Sequence, residues 1–138
     1  MTSIRRMQVL ELRAAKILQT RGYQPVIVSH FVRSSRYIAF NLTARKTRED
    51  GTVETLIVKL KISLHPLASP AEAAAFCSDE MAQVKRFLTR VQNEEPDYRF
   101  EVWLAIPLDG FQQFKITRDG IREIPEPGES VSCQEQTS

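Results

Sequence analysis

The sequence predicts an α+β fold, an α/β sandwich of helices on one mixed sheet. Three patterns carry the prediction: an apolar stripe at helical spacing opens the chain, a pair of alternating strands follows, and a second helical stripe separates that pair from another alternating hairpin. The element order is helix, three strands, helix, two strands, with a short final strand.

Met7, Leu10, Ala14, Ile17 and Leu18 recur every three or four residues and predict a helix over 4–21, with Ser3 as its cap and Gly22 as its end. Pro25–Val28 is short and β-branched, as a strand entered through a proline would be. Tyr37–Ala44 alternates, which places Ile38, Phe40, Leu42 and Ala44 on one face and Asn41 and Thr43 on the other. Asp50-Gly51 is a favoured hairpin pair and joins this strand to an antiparallel partner over Val53–Ile62. There Glu54, Leu56, Val58, Leu60 and Ile62 share one side, and Lys59 and Lys61 the other.

Ser69-Pro70-Ala71-Glu72 combines a capping serine, proline at the first helical position and a glutamate three residues after the cap. It predicts a helix running to about Val91, with Ala73, Phe76, Cys77, Met81, Val84, Phe87, Leu88 and Val91 toward the core. Phe100–Ile106, a turn at Pro107–Gly110, and Phe111–Thr117 form the second hairpin, and Asp119-Gly120 turns into Ile121–Ile124. Residues 1–124 read as one domain. Residues 125–138 are rich in Pro, Ser and Glu and too poor in apolar side chains to offset ordering entropy, so a disordered tail is expected.

Composition removes several classes. The 138 residues are 42% hydrophobic and 26% charged with a net charge of +2, which fits a folded domain and neither a polyelectrolyte nor an acidic solvating chain. No apolar run approaches a membrane span, and charges stand where a signal peptide needs its apolar core, so a cytoplasmic chain without membrane association is expected. Charge is unevenly spread: residues 1–65 carry 12 Lys and Arg against 4 Asp and Glu, and residues 66–138 carry 7 against 13. Two cysteines make neither a disulfide framework nor a zinc site. Cys77, on the core stripe, reads as a buried thiol, and His30 and His65 as surface or capping residues. No glycine spacing matches a phosphate loop, and the Asn41-Leu42-Thr43 sequon is accidental in this setting.

One constellation points to a site. Asn41, Lys59 and Lys61 are polar in the middle of apolar strands, and Glu11 borders the stripe of the first helix. A half-buried carboxylate there needs a partner, and Lys59 or Lys61 is the expected one. The order αβββαβ with these residues resembles the PD-(D/E)XK nuclease superfamily, in particular its restriction-endonuclease-like and archaeal Holliday junction resolvase-like members, over about residues 4–117. The resemblance implies a restriction-endonuclease-like core, a mixed sheet flanked by two helices with an added C-terminal hairpin. In that family an Asp near the start of the hairpin and a Glu-x-Lys on the next strand hold Mg²⁺ and activate water. Here Asn41 stands for the Asp, Lys59 for the Glu, and Lys61 keeps the lysine, while Glu11 matches the acid of the first helix and Gln83 a polar residue of the second.

Exchanging two carboxylates for an amide and an ammonium repels a cation, so the expectation is a degenerate site with no intact catalytic set, no metal and no cofactor. Arg5, Arg6, Arg13, Arg33, Arg36, Arg45, Lys46 and Arg48, with Lys59 and Lys61, then form a candidate phosphate-binding face for DNA or RNA. Two alternatives stand beside this reading. One is a divergent Mg²⁺-dependent nuclease that takes carboxylates from Glu11 and Glu54 or Asp50. The other is a protein-interaction or homodimerisation module using the edge formed by Phe111–Thr117.

Overall fold

A computed structural model describes residues 2–28, 40–90 and 98–125, with side chains from residue 6 onward. The elements are α1 (Thr2–Thr20), β1 (Gln24–Ile27), β2 (Leu42–Thr47), β3 (Val53–Ile62), α2 (Pro70–Phe76), α3 (Ser78–Arg90), β4 (Tyr98–Ile106), β5 (Gly110–Thr117) and β6 (Gly120–Ile124). The six strands lie in chain order β1-β2-β3-β4-β5-β6 in one mixed sheet. β3 and β4 are parallel and every other pair is antiparallel. The parallel pair requires a crossover, which α2 and α3 provide.

Both faces of the sheet are covered. On one, Leu10, Ala14 and Leu18 of α1 pack against Leu42, Ala44, Leu56, Val58, Leu60, Trp103, Ala105 and Phe111. On the other, Ala73, Cys77, Val84 and Leu88 pack against Ile57, Phe100, Val102, Leu104, Phe114 and Ile116. Alternation along each strand sends successive side chains to opposite layers, so apolar residues appear at nearly every position of β4. α1 stops where Gly22 takes a φ of 90°, its N–H bonding the Gln19 carbonyl while the Tyr23 N–H bonds that of Leu18. Only glycine holds that conformation cheaply, and it turns the chain straight into β1.

Four expectations need correction. Ser3 lies inside α1, which begins at Thr2. The single helix expected over 69–91 is two, because Cys77 takes φ −112°, ψ 24° and breaks the regular turn between α2 and α3; the Ser69 cap and its bond from the Glu72 N–H are as expected. Phe76 consequently leaves the stripe and is exposed. β2 extends through Arg45, Lys46 and Thr47, leaving a tighter turn at 48–51 than the charged segment suggested. Finally, β5 is not an edge: β4 and β6 pair with it on either side, and the edges are β1 and β6. Val91 and residues 126–138 lie outside the described residues, as does the segment 29–39.

Cys77 is fully buried, and burial pushes its thiol up to about 11, in keeping with an inert core residue. The two-sided core makes stability depend on α1. Leu18→Ala, at a site with no exposure, is expected to cost about 2–5 kcal/mol in urea denaturation. Val9→Ala, at a position 46% exposed on the same helix, should stay within about 0.5 kcal/mol.

Candidate functional site

Glu11 reaches the sheet from the buried side of α1 and is only 1% exposed. Opposite it stands Asn41, at a bend just before β2. The Asn41 backbone N–H bonds the Val58 carbonyl, and its own carbonyl accepts from the Val28 N–H, so the residue bridges β1 and β3. The Leu60 N–H donates to Asn41 Oδ1 at 2.8 Å, and Asn41 Nδ2 donates to Glu11 Oε2 at 3.0 Å. A backbone N–H can only donate, so it fixes Oδ1 on its side and turns the amide NH₂ toward the carboxylate. The bend also changes Asn41's face. Phe40 packs with the α2 and α3 layer, whereas Asn41 points to α1 together with Leu42 and Ala44, and not away from them as strict alternation implied.

Lys59 and Lys61 do not join Glu11 and Asn41. They project from the opposite face of β3, the side of Ile57 and the α2–α3 layer. Lys61 Nζ donates to the Phe76 carbonyl at 2.7 Å and to Glu80 Oε1 at 3.2 Å, and lies 4.6 Å from the Phe76 ring. The expected pairing of Glu11 with Lys59 or Lys61 is therefore replaced by Glu11–Asn41 and Lys61–Glu80. The apolar Val58 and Leu60 face α1 instead. Gln83 lies on α3 one turn beyond Glu80, half-buried in the layer of the lysines. Sequence reasoning missed Glu80, yet it carried a signal. It sits three residues after Cys77 and four before Val84, an acid within the apolar stripe.

Mg²⁺ takes hard oxygen ligands in near-octahedral geometry. The Asn41 NH₂ faces the Glu11 carboxylate, and Val58 and Leu60 add no oxygen from their side chains, so these residues do not fit that ion. Among the described residues no group of three His, Cys, Asp or Glu is placed to hold a metal. Glu54 belongs elsewhere: it accepts from the Tyr23 hydroxyl at 2.5 Å and lies 3.7 Å from both Arg48 Nε and Arg99 Nε. It is six residues along β3 from Leu60, or about 20 Å at the rise of a strand. Asp50 is held still further away in the β2–β3 turn by the Thr52 N–H and hydroxyl.

Glu54 belongs to a polar network that the sequence did not reveal. Arg99 Nη2 contacts Glu101 at 3.4 Å, and the Trp103 indole N–H donates to the same carboxylate at 2.8 Å. Burial raises the Glu101 pKa, opposed by the Trp103 hydrogen bond and by Arg99. Burial and Glu54 together raise that of Tyr23. Glu101 shares a face with Trp103, so once α1 covers that face the carboxylate is buried with it.

The expected phosphate-binding residues separate into groups. Arg5, Arg33 and Arg36 lie outside the described side chains. Arg45, Lys46 and Arg48 are at the β2–β3 hairpin, where Lys46 lies 5.3 Å from the Tyr23 ring and Arg48 contacts Glu54. Lys59 and Lys61 are on the other face. Arg6 instead joins Arg13 and Lys16, a residue sequence reasoning missed, along a groove of about 860 Å³ between α1 and the β4–β5 turn. All three are exposed, and among the described residues no acidic side chain pairs with them.

Asn41→Ala is expected to leave the buried Leu60 N–H and the Glu11 carboxylate each short of a partner. The cost is about 1–3 kcal/mol in chemical denaturation, chiefly from the Leu60 N–H left without its acceptor, larger than for Thr47→Ala on the exposed part of β2.

No family model matches the chain, and no curated protein matches it. Among solved structures it is similar to Hjc, a Holliday junction resolvase from the archaeal hyperthermophile Archaeoglobus fulgidus. The TM-score is 0.52 at 16% identity, with 90% of this chain and 92% of that one covered. The chain thus has the fold of that resolvase, a restriction-endonuclease-like fold.

Proposed function

We propose that this is a nuclease-fold protein that has lost metal-dependent cleavage and binds nucleic-acid backbone. The observation that carries the first half is the Asn41 amide, tied at one end to the Leu60 N–H and at the other to Glu11. On the reading that Asn41 stands for the family's Asp, a donor to Glu11 takes the place of a second carboxylate. A cation bound at Glu11 would have to displace that hydrogen bond, with no second anion to repay the dehydration of the metal. The separation of Glu54 and Asp50 from Glu11 argues against carboxylates relocated within the described residues.

The second half rests on the cations of α1. Arg6, Arg13 and Lys16 follow one side of the helix and border a groove, in a protein whose fold is that of a Holliday junction resolvase. Cations without acidic partners attract phosphate oxygens, and their neutralisation releases counterions. A role as the non-catalytic subunit of an active enzyme is compatible with the same surface.

The 138-residue chain should bind labelled DNA with a salt-sensitive affinity and leave it uncut with Mg²⁺ or Mn²⁺. Cleavage that disappears in Glu11→Gln would overturn the proposal. Asn41→Asp supplies a direct check on the metal site. Two adjacent carboxylates cannot both ionise cheaply, so one folded-state pKa rises above its unfolded value of about 3.9. The variant should therefore be most stable at acidic pH and lose stability as pH rises above that value. Mg²⁺ should raise its Tm at pH 7 and leave that of the wild type unchanged.

A further inference from the structure

The groove beside α1 combines two surfaces that backbone binding alone does not require. Its walls include Leu10 and Ile17 of α1, Ile62 of β3, Phe111 of β5 and Leu108 at the tip of the β4–β5 turn. Its charged lining consists of Arg6, Arg13 and Lys16 alone. At 1.5 Å per residue these three span about 15 Å of helix. Deeper in the wall is Gln113, 3% exposed, whose Oε1 accepts from Arg21 Nη2 at 2.8 Å. Its Nε2 is a donor with no acceptor among the described residues.

We propose that this groove takes single-stranded DNA, with phosphates along Arg6, Arg13 and Lys16 and unstacked bases against the apolar wall. The proposal rests on the nucleic-acid-binding reading above and deepens it. A duplex presents base edges to a protein and keeps its apolar base faces stacked. Apolar walls gain nothing from it. A single strand offers both an anion and a flat apolar face at every repeat, matching a cationic rim beside an apolar wall. Base edges also carry the carbonyl and ring-nitrogen acceptors that the Gln113 donor lacks. The three cations call only for phosphate oxygens, which DNA supplies without a 2′-hydroxyl to place against the apolar wall. A volume of about 860 Å³ is on the scale of pockets that enclose a small ligand and far too small for a duplex.

The test is fluorescence anisotropy of the full chain with labelled oligonucleotides of about 12 nucleotides: single-stranded DNA, the same sequence as duplex, and the same sequence as RNA. A peptide alternating Glu and Leu is a fourth probe. Single-stranded DNA should bind about tenfold tighter than the other three, with a log–log salt slope near −2, as about three phosphates give. Arg13→Ala should make that slope shallower by about 0.7. Leu108 is fully exposed at a φ of 68°, so Leu108→Gly relaxes the turn while removing only the apolar side chain. It should weaken single-strand binding several-fold and leave duplex binding unchanged, and Leu108→Asp, which adds a charge beside the same cations, should weaken single-strand binding about tenfold. Duplex binding as tight as single-strand binding, or Leu108 variants without effect, would overturn the groove assignment and leave backbone binding standing. RNA as tight as DNA would overturn the choice of DNA. Peptide binding without nucleic-acid binding would overturn both readings and make the groove a docking site for acidic segments, and no binding at all would overturn both outright.

Discussion

The parallel pairing of β3 with β4 is the constraint on which the rest of the molecule depends. Parallel strands need a crossover, the crossover here is helical, and its helices bury the face that α1 leaves uncovered. From that point a polar side chain buried between sheet and helices, such as Asn41 or Glu101, cannot rely on water. Each must find a partner in its own layer. Asn41 finds Glu11 and the Leu60 N–H in the α1 layer, Lys61 finds Glu80 and the Phe76 carbonyl in the other, and Glu101 finds Arg99 and the Trp103 indole.

This satisfaction within layers explains how the Glu11–Asn41 pair is held in a buried layer. A metal site in a buried layer needs carboxylates that repel one another until the cation arrives. A carboxylate and an amide hold together without any cation, and the second bond, to the Leu60 N–H, keeps the amide from rotating away. Stability and metal affinity are opposed at this position, because the donor that satisfies Glu11 is the group that a cation would have to replace.

The uneven charge along the chain does not cancel inside the fold. Glu54, one of the few acids in the basic first half, draws Arg48 and Arg99 to one end of the sheet, and Lys61 pairs across the halves with Glu80. α1 is different. Its buried side holds Glu11, and its groove side carries three cations that face no acid among the described residues. Part of the charge imbalance visible as a count thus stands on one helix, beside an apolar groove.

The elements themselves were legible from local pattern. The stripes of α1 and α3, the Ser69 cap, the Asp50-Gly51 turn and both hairpins follow from periodicity and turn chemistry, which are short-range properties of the chain. Glu11, Asn41 and Lys61 were legible as anomalies, since each is a polar residue in an apolar pattern. Their partners were not. Which layer a strand residue enters depends on a bend, and the bend at Asn41 reverses the face that alternation assigns from Tyr37 onward. Glu80 and Glu101 become buried partners only because helices cover both faces. The groove exists only because α1 and the β4–β5 turn, about ninety residues apart in sequence, meet at one end of the sheet. Sequence alone determined where helical and strand pattern runs and the residues that needed explaining; tertiary structure decided their partners, because burial and facing are set by contacts between segments that local pattern does not connect.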